Sequence, residues 1–178
     1  LISGGSTGPL VDRSTAPGPF VKSPTAPAAF AATASNLIWQ DGTYSIEGWF
    51  GDAYPDLIPD RTETSLIIGD PAESLGAAHI AARLGLESTG ITLPISKLDR
   101  KVKEPNREAS PILVGRNNSL VQQLVKIGKT RLDDLQTGEG VIHLVPKAFG
   151  NATATVVAGA NASGTDAACD YLARRVPY

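Results

Sequence analysis

The pattern that most constrains the fold is a short apolar segment followed by a glycine and, two residues later, by the start of a helical segment. It occurs three times, as LIIGDPAES, ILVGRNNS and VVAGANAS. The three glycines, Gly69, Gly115 and Gly159, lie at intervals of about 45 residues, which suits strand–helix–strand modules better than a solenoid, whose repeats need more copies. The chain is therefore predicted to be α/β, with a mixed, mostly parallel sheet and covering helices.

The periodicity of the apolar residues places the elements of this sheet. Strands are predicted near residues 65, 91, 111, 141 and 155, and helices near residues 71, 117 and 162. Only a short loop, KAFGN, separates the last two strands, so they should be antiparallel neighbours. Pro94 places the strand near residue 91 at an edge of the sheet, and the basic stretch 97–107 is predicted to be a solvated loop.

Two segments of different character precede the α/β part. Residues 1–35 are rich in Gly, Pro, Ala, Ser and Thr and have no helical or strand periodicity, which predicts an extended arm held by its own domain or by a neighbouring subunit. Residues 36–64 are aromatic and acidic, and Asp41-Gly42 is a strong turn signal for a β-hairpin over 36–50. The predicted division is thus 1–35, 36–64 and 65–178.

The repeated joint admits three interpretations. Glycine at a strand end followed by the amide groups of a helix start can bind an anion such as a nucleotide phosphate. The specific phosphate signatures are absent, and Asn117, Ser119, Asn161 and Ser163 can equally serve as helix caps. The third interpretation is glycosylation, because the N-x-[ST] acceptor pattern occurs at Asn117, Asn151 and Asn161.

A second candidate site precedes the sheet. Five of the ten aromatic residues fall within residues 39–54, close to six carboxylates. Aromatic faces beside carboxylates suit carbohydrate stacking, although a local core with solvated acids explains the same composition. The residues predicted to bind such a ligand are Trp39, Tyr44, Trp49, Asp52, Tyr54 and Asp56.

The sequence gives little support for nucleic-acid binding, a membrane span, a metal site or catalysis. The net charge of −2 argues against a nucleic-acid partner, and no stretch is apolar enough for a membrane span. No catalytic or metal motif surrounds His79 or His143, so both are interpreted as structural; we expect no cofactor, no metal and no catalytic residue. The helical spacing around Cys169, the single cysteine, predicts a buried thiol. The absence of Met, even at position 1, is consistent with a processed product or a fragment.

Residues 110–176 resemble the α/β segments of prokaryotic surface-layer proteins. The similarity lies in PILVGRNNSLVQQL and in ATVVAGANASGTDAACDYLARR. Similar segments occur in non-catalytic domains of polysaccharide-handling proteins. The surface-layer resemblance implies an exported, self-assembling and often glycosylated protein without an active site.

Two hypotheses follow from the sequence. The first is an extracellular or cell-surface structural protein whose subunits contact one another, or a partner protein, through residues 1–35. The alternative is a non-catalytic carbohydrate-binding or accessory domain of a larger polysaccharide-processing enzyme, which would use the aromatic and acidic residues before the sheet.

Overall fold

A computed structural model describes residues 48–53 and 58–175 of the chain. Its centre is a five-stranded sheet in the order β4-β3-β5-β7-β6. The strands are β3 (Leu66–Ile68), β4 (Ser96–Leu98), β5 (Ile112–Val114), β6 (Gly140–Phe149) and β7 (Ala152–Gly159). The neighbours β4/β3, β3/β5 and β5/β7 are parallel, and β6/β7 is antiparallel. The predicted α/β fold with a mixed, mostly parallel sheet is confirmed.

Three α-helices cover the sheet: α1 (Ser74–Leu86), α2 (Ser119–Lys126) and α3 (Ala162–Arg175). Helix α1 packs against α3, and α3 also lies on β6 and β7. All three residues of β5 are fully buried, as expected for a strand covered on both faces.

The apolar pattern explains why these segments are strands and helices. The runs in β3 and β5 consist of Leu, Ile and Val and are continuously apolar, which is typical of central parallel strands. Helix α2 buries Leu120, Val121 and Leu124, which recur at helical spacing. Ile127 belongs to the same sequence stripe but lies past the helix end and is exposed.

The edge strand departs from the prediction. A strand was expected over ITLPI near residue 91, but β4 begins at Ser96, so that prediction was wrong by about one strand length. Pro94 lacks a backbone N–H and cannot donate to a ladder. The pairing of β4 with β3 begins two residues after it, at Ser96. The basic stretch 97–107, expected to be a loop, contributes Lys97 and Leu98 to β4 and forms the 3₁₀ helices Asp99–Lys101 and Pro105–Arg107.

A second, two-stranded antiparallel sheet pairs β1 (Phe50–Gly51) with β2 (Arg61–Thr62). Trp49 and Phe50 are buried and belong to the same core as the large sheet. Residues 36–47 of the hairpin predicted over 36–50, with its Asp41-Gly42 turn, lie outside the described residues, as does the arm over 1–35.

The β6/β7 hairpin confirms the antiparallel pairing expected from the short KAFGN loop. The strands pair from Gly140 opposite Gly159 to Phe149 opposite Ala152, with an irregularity between Val145 and Phe149. Lys147 lies in this irregular stretch with a φ of 50°, and the Lys129 ammonium donates to the Lys147 carbonyl. The hairpin forms the edge of the sheet opposite β4.

Candidate functional site

The three joints predicted from the sequence meet at one edge of the sheet. Gly69 and Gly115 directly follow β3 and β5, and Gly159 is the last residue of β7; these three strands are adjacent. The Gly69 amide donates to the Val114 carbonyl over 3.1 Å, and the Gly115 amide donates to the Val157 carbonyl over 2.9 Å. In open α/β sheets, ligands usually bind in the crevice outside the carboxyl ends of the strands, at the point where the strand order reverses. This edge is therefore the candidate site.

A buried carboxylate, Glu73, lies at the centre of this edge. Glu73 ends the 3₁₀ turn Pro71–Glu73 that leads into α1, and only 4% of its surface is exposed. Its Oε1 accepts a 2.9 Å hydrogen bond from the Thr165 hydroxyl in the first turn of α3. Its Oε2 lies against Gly115, where a Cβ would be only 1.7 Å away. Glu73 therefore connects the starts of α1 and α3 with the end of β5.

The surroundings of Glu73 favour its protonated form. Burial raises the pKa of this carboxyl, and the negative charges of Asp70 and Asp166 raise it further, against the opposing effect of the Thr165 hydroxyl and the Arg116 amide. The Arg116 amide is near enough to the Glu73 carboxylate to favour its charged form. Even so, Glu73 Oε2 has no hydrogen bond of normal geometry to any described residue. A buried oxygen without such a bond costs stability.

Asn118 fills the position between β3 and β5. Its side chain is completely buried; Nδ2 donates to the carbonyls of Ile67 and Val114, and Oδ1 accepts from the Leu120 amide over 2.9 Å. Asn118, not Asn117 or Ser119, is the cap of α2, which corrects the prediction by one residue. The sequence could not show which asparagine caps α2, because Asn117 and Asn118 have the same side chain.

Helix α3 is capped as the sequence predicted for Asn161. The Asn161 Oδ1 accepts from the Gly164 amide over 3.0 Å and from the Gly138 amide over 3.2 Å. The Thr165 hydroxyl accepts from the Gly159 amide over 2.9 Å while it donates to Glu73. The Gly164 amide in the first turn of α3 and the Gly159 amide at the end of β7 are thus engaged by side chains of the chain itself.

The three glycines are required by close packing. A Cβ on Gly69 would lie 2.4 Å from the Asn118 backbone, and one on Gly159 would lie 2.2 Å from the Thr165 nitrogen. At Gly115, with a φ of 101°, the neighbour is the Glu73 carboxyl group, which occupies the space beside this glycine. These contacts favour capping over nucleotide binding, and they make the edge an internal junction that joins helices to the sheet.

Glu73 was not among the residues singled out from the sequence. An acid in the first turn of a helix, after Asp70 and Pro71, ordinarily faces water and stabilises the helix dipole. Asp70 indeed caps this turn by accepting from the Ala72 amide. Glu73 is buried only because two other joints, far away in sequence, come to the same edge.

The two histidines and the cysteine differ in their burial and in their neighbours. His143 Nδ1 is 2.8 Å from the Thr130 hydroxyl, and burial lowers the pKa of His143 to about 4. His79 is half exposed, 3.8 Å from an Asp170 oxygen. Cys169 is fully buried, as predicted, and burial raises the pKa of its thiol. Over the described ranges, no group of three or more metal-binding side chains comes together.

The predicted carbohydrate site is only partly within the described residues. Trp49 is 3% exposed and packs in the core, while Asp52 is exposed. Trp39, Tyr44, Tyr54 and Asp56 lie outside the described residues, so ligand binding there stays a prediction. A titration with a panel of glycans, followed by tryptophan fluorescence, tests it.

All three sequon asparagines lie at the surface. Asn151 is in the turn between β6 and β7, Asn117 precedes the Asn118 cap, and Asn161 caps α3. Each is exposed. The Oδ1 of Asn161 is engaged in two hydrogen bonds, so its side chain is held in one orientation.

The comparisons with known proteins give one family. A model described as "S-layer like family, outer domain" matches residues 86–176, slightly more than half of the chain, from the end of α1 through α3. No curated protein matches. In the part of the chain that the structure describes, no helix has the length and apolar character needed to cross a membrane.

Proposed function

The chain belongs to the S-layer like family, and on that premise we propose that it is an extracellular structural subunit that assembles with copies of itself through residues 1–35. Family membership makes it a surface-layer-type protein and implies self-association. The position of the contacts in the N-terminal arm and the extracellular location are our inference.

The observation that carries this proposal is the family match, which covers four of the five strands of the large sheet and its last two helices. The geometry of the carboxyl edge supports it. At the crevice where α/β enzymes bind ligands, Glu73 bonds to Thr165 in the first turn of α3, and Asn118 bonds to the carbonyls of Ile67 and Val114. These bonds join helix starts and strand ends, as a rigid building block requires.

The composition of the arm supports its role in contacts. An extended segment with isolated apolar side chains cannot form a core of its own, and binding to another surface is the way to bury them. The apolar side chains in question are Leu10, Val11, Phe20, Val21 and Phe30.

Replacing these five residues with serine in the full-length chain tests the proposal. We expect the wild-type chain to form large assemblies on raising the concentration, and the five-serine variant to remain monomeric, as measured by sedimentation velocity and electron microscopy. A matched control replaces the charged arm residues Asp12, Arg13 and Lys22 with serine and should still assemble. Assembly of the five-serine variant at the wild-type concentration would contradict the role of the arm.

We further propose that the protein carries glycans at its exposed sequons. Asn151 is the favoured acceptor because it lies in an exposed hairpin turn, where an enzyme can reach the backbone. The intact mass of native protein should exceed the calculated 18.5 kDa by whole sugar units, and peptide mapping should find them on Asn151. An unmodified Asn151 in native material would exclude this site.

A further inference from the structure

An uncharged, apolar surface lies where helix α1 ends and the chain turns toward β4. Three large side chains are exposed within eight residues: Leu86 at 80%, Ile91 at 46% and Leu93 at 78%. Ile91 lies close to the end of the helix, since a Cβ on Gly85, next to Leu86, would lie 2.8 Å from Ile91 Cδ1, and Leu93 follows Ile91 by two residues. The nearby Glu87 carboxylate is paired with the Arg83 guanidinium at 2.6 Å. We call Leu86, Ile91 and Leu93 the apolar corner.

The apolar corner borders an open edge of the sheet. Strand β4 begins at Ser96, directly after the corner, and it is the last strand on its side in the order found for the described residues. Among the described residues, β4 pairs with β3 alone. An edge strand offers backbone groups to an additional extended segment, so the corner combines apolar side chains with a backbone template.

The N-terminal segment enters the domain beside this corner. Phe50 pairs with Thr62 in the small sheet, and on its other side the Thr62 amide donates to the Gly90 carbonyl over 3.3 Å. The Thr62 hydroxyl also accepts from the Thr92 amide. A single strand therefore separates the point where the first 47 residues join the domain from the loop that carries the corner, a distance of about 10 Å at ordinary strand spacing.

The length of that segment allows it to reach another molecule. Twelve residues, 36–47, separate the arm from the first described residue, Gly48, and a chain of this length extends to about 40 Å. The apolar residues of the arm are separated by prolines and small residues, so they suit a shallow surface better than a deep pocket. The arm and the corner are thus matched in chemistry and in reach.

We propose that the apolar corner and the adjoining edge of β4 are the docking site for the N-terminal arm of a neighbouring copy. The inference rests on the proposed function, because it assigns the surface that receives the arm in self-assembly. Each copy then offers one arm and one corner. Since these are different surfaces, the contact is head to tail, which gives a ring where the rotation between copies closes and a filament where it does not.

Two substitutions at opposite ends of one helix test the site. Leu86 and Leu75 both lie on α1 and are 80% and 62% exposed, about 16 Å apart along the helix axis. In the full-length chain, Leu86→Asp and Leu93→Asp should each raise the concentration needed for assembly about tenfold or more, because each places a charge where an apolar side chain would be buried. Leu75→Asp is the matched control and should change this concentration less than twofold.

Cross-linking identifies which copy supplies the arm. Full-length Leu10→Cys chains are mixed with larger, tagged Leu93→Cys chains, and a bismaleimide joins thiols that come close. Cys169 is fully buried and should not react in the folded protein. We expect a cross-linked product containing one tagged and one untagged chain. In the double variant with both cysteines, assembled protein should give products between chains.

The outcomes separate this inference from the proposed function. If the five-serine arm variant stays monomeric while Leu86→Asp and Leu93→Asp assemble like Leu75→Asp, the arm mediates contacts but docks elsewhere, and the corner is overturned. Cross-links confined to single chains of the double variant would overturn the contact between copies. If the wild-type chain forms no assembly at any concentration, the proposed function itself fails.

Discussion

At the scale of single residues, Glu73 determines the character of the carboxyl edge. A phosphate-binding α/β protein leaves the helix starts at this edge open to an external anion. In this chain a carboxylate from a third element occupies the position, bonded to Thr165 and pressed against Gly115. The arrangement holds the starts of α1 and α3 together, and it carries the cost of a buried oxygen that lacks a regular hydrogen bond among the described residues.

The first prediction concerns the pH dependence of Glu73→Gln. Because the folded carboxyl has a raised pKa, the folded state holds this proton more tightly than the unfolded state. Its contribution to stability is full below the ordinary pKa of glutamate and is lost as the pH rises through the folded value. Glutamine keeps an oxygen for Thr165 but cannot ionise. The difference in the free energy of unfolding between variant and wild type should therefore change in favour of the variant as the pH rises above the ordinary pKa range of glutamate.

Urea unfolding of both proteins between pH 4 and 8 measures this difference. His143 changes wild-type stability in the opposite direction: its pKa is lowered to about 4, so stability falls as the pH drops from the ordinary histidine range toward that value. Both proteins contain His143, so its effect cancels in the difference. Glu104→Gln, which alters a surface carboxylate paired with Arg107, is the control. Parallel curves for wild type and Glu73→Gln would show that Glu73 is not held in this environment.

At the scale of elements, the strand–glycine–helix joints show which features the sequence could predict. Strands and helices followed from apolar periodicity, and the antiparallel β6/β7 pair followed from its short loop. Strand β4 did not, because its three residues owe their conformation to pairing with β3 rather than to their own pattern. The capping role of Asn118 depends on its reach to the Ile67 carbonyl, 51 residues away in sequence, and no local pattern contains that information.

The second prediction compares two adjacent asparagines at the start of α2. Asn118→Ala removes a cap and leaves the buried carbonyls of Ile67 and Val114 without this donor. We expect a loss of about 2–4 kcal/mol in the free energy of unfolding. Asn117 is exposed, so Asn117→Ala should cost less than about 0.5 kcal/mol.

Denaturant unfolding of unglycosylated material measures both variants without interference from sugar. Asn118→Ala also keeps the N-x-S pattern that begins at Asn117, so the effects of capping and of modification can be separated in native material. Equal losses for the two variants would mean that the joint between β3 and β5 does not depend on the Asn118 side chain.

At the scale of the whole molecule, the described residues share one hydrophobic core. Its buried apolar residues extend from Trp49 to Ala173 and form one cluster on both faces of the sheet. The sequence predicted this core because its strands and helices are strongly periodic. It could not locate the apolar corner, because exposure of Leu86, Ile91 and Leu93 depends on where α1 ends relative to β4. The three-part division 1–35, 36–64 and 65–178 stays a prediction.

The third prediction separates an arm that binds its own domain from one that binds a neighbour. A contact between copies stabilises the folded state by mass action, so a hundredfold increase in protein concentration adds about 2.7 kcal/mol for a fully associated chain. For a domain of this size, that raises the melting temperature by roughly 5–10 °C.

The wild-type melting temperature should therefore rise with concentration. The melting temperature of a chain lacking residues 1–35 should stay constant and equal the wild-type value at high dilution. Calorimetry over this concentration range provides the measurement. A truncated chain that melts lower than wild type even at high dilution would show that the arm stabilises its own domain, and the contact between copies would then have to come from another surface.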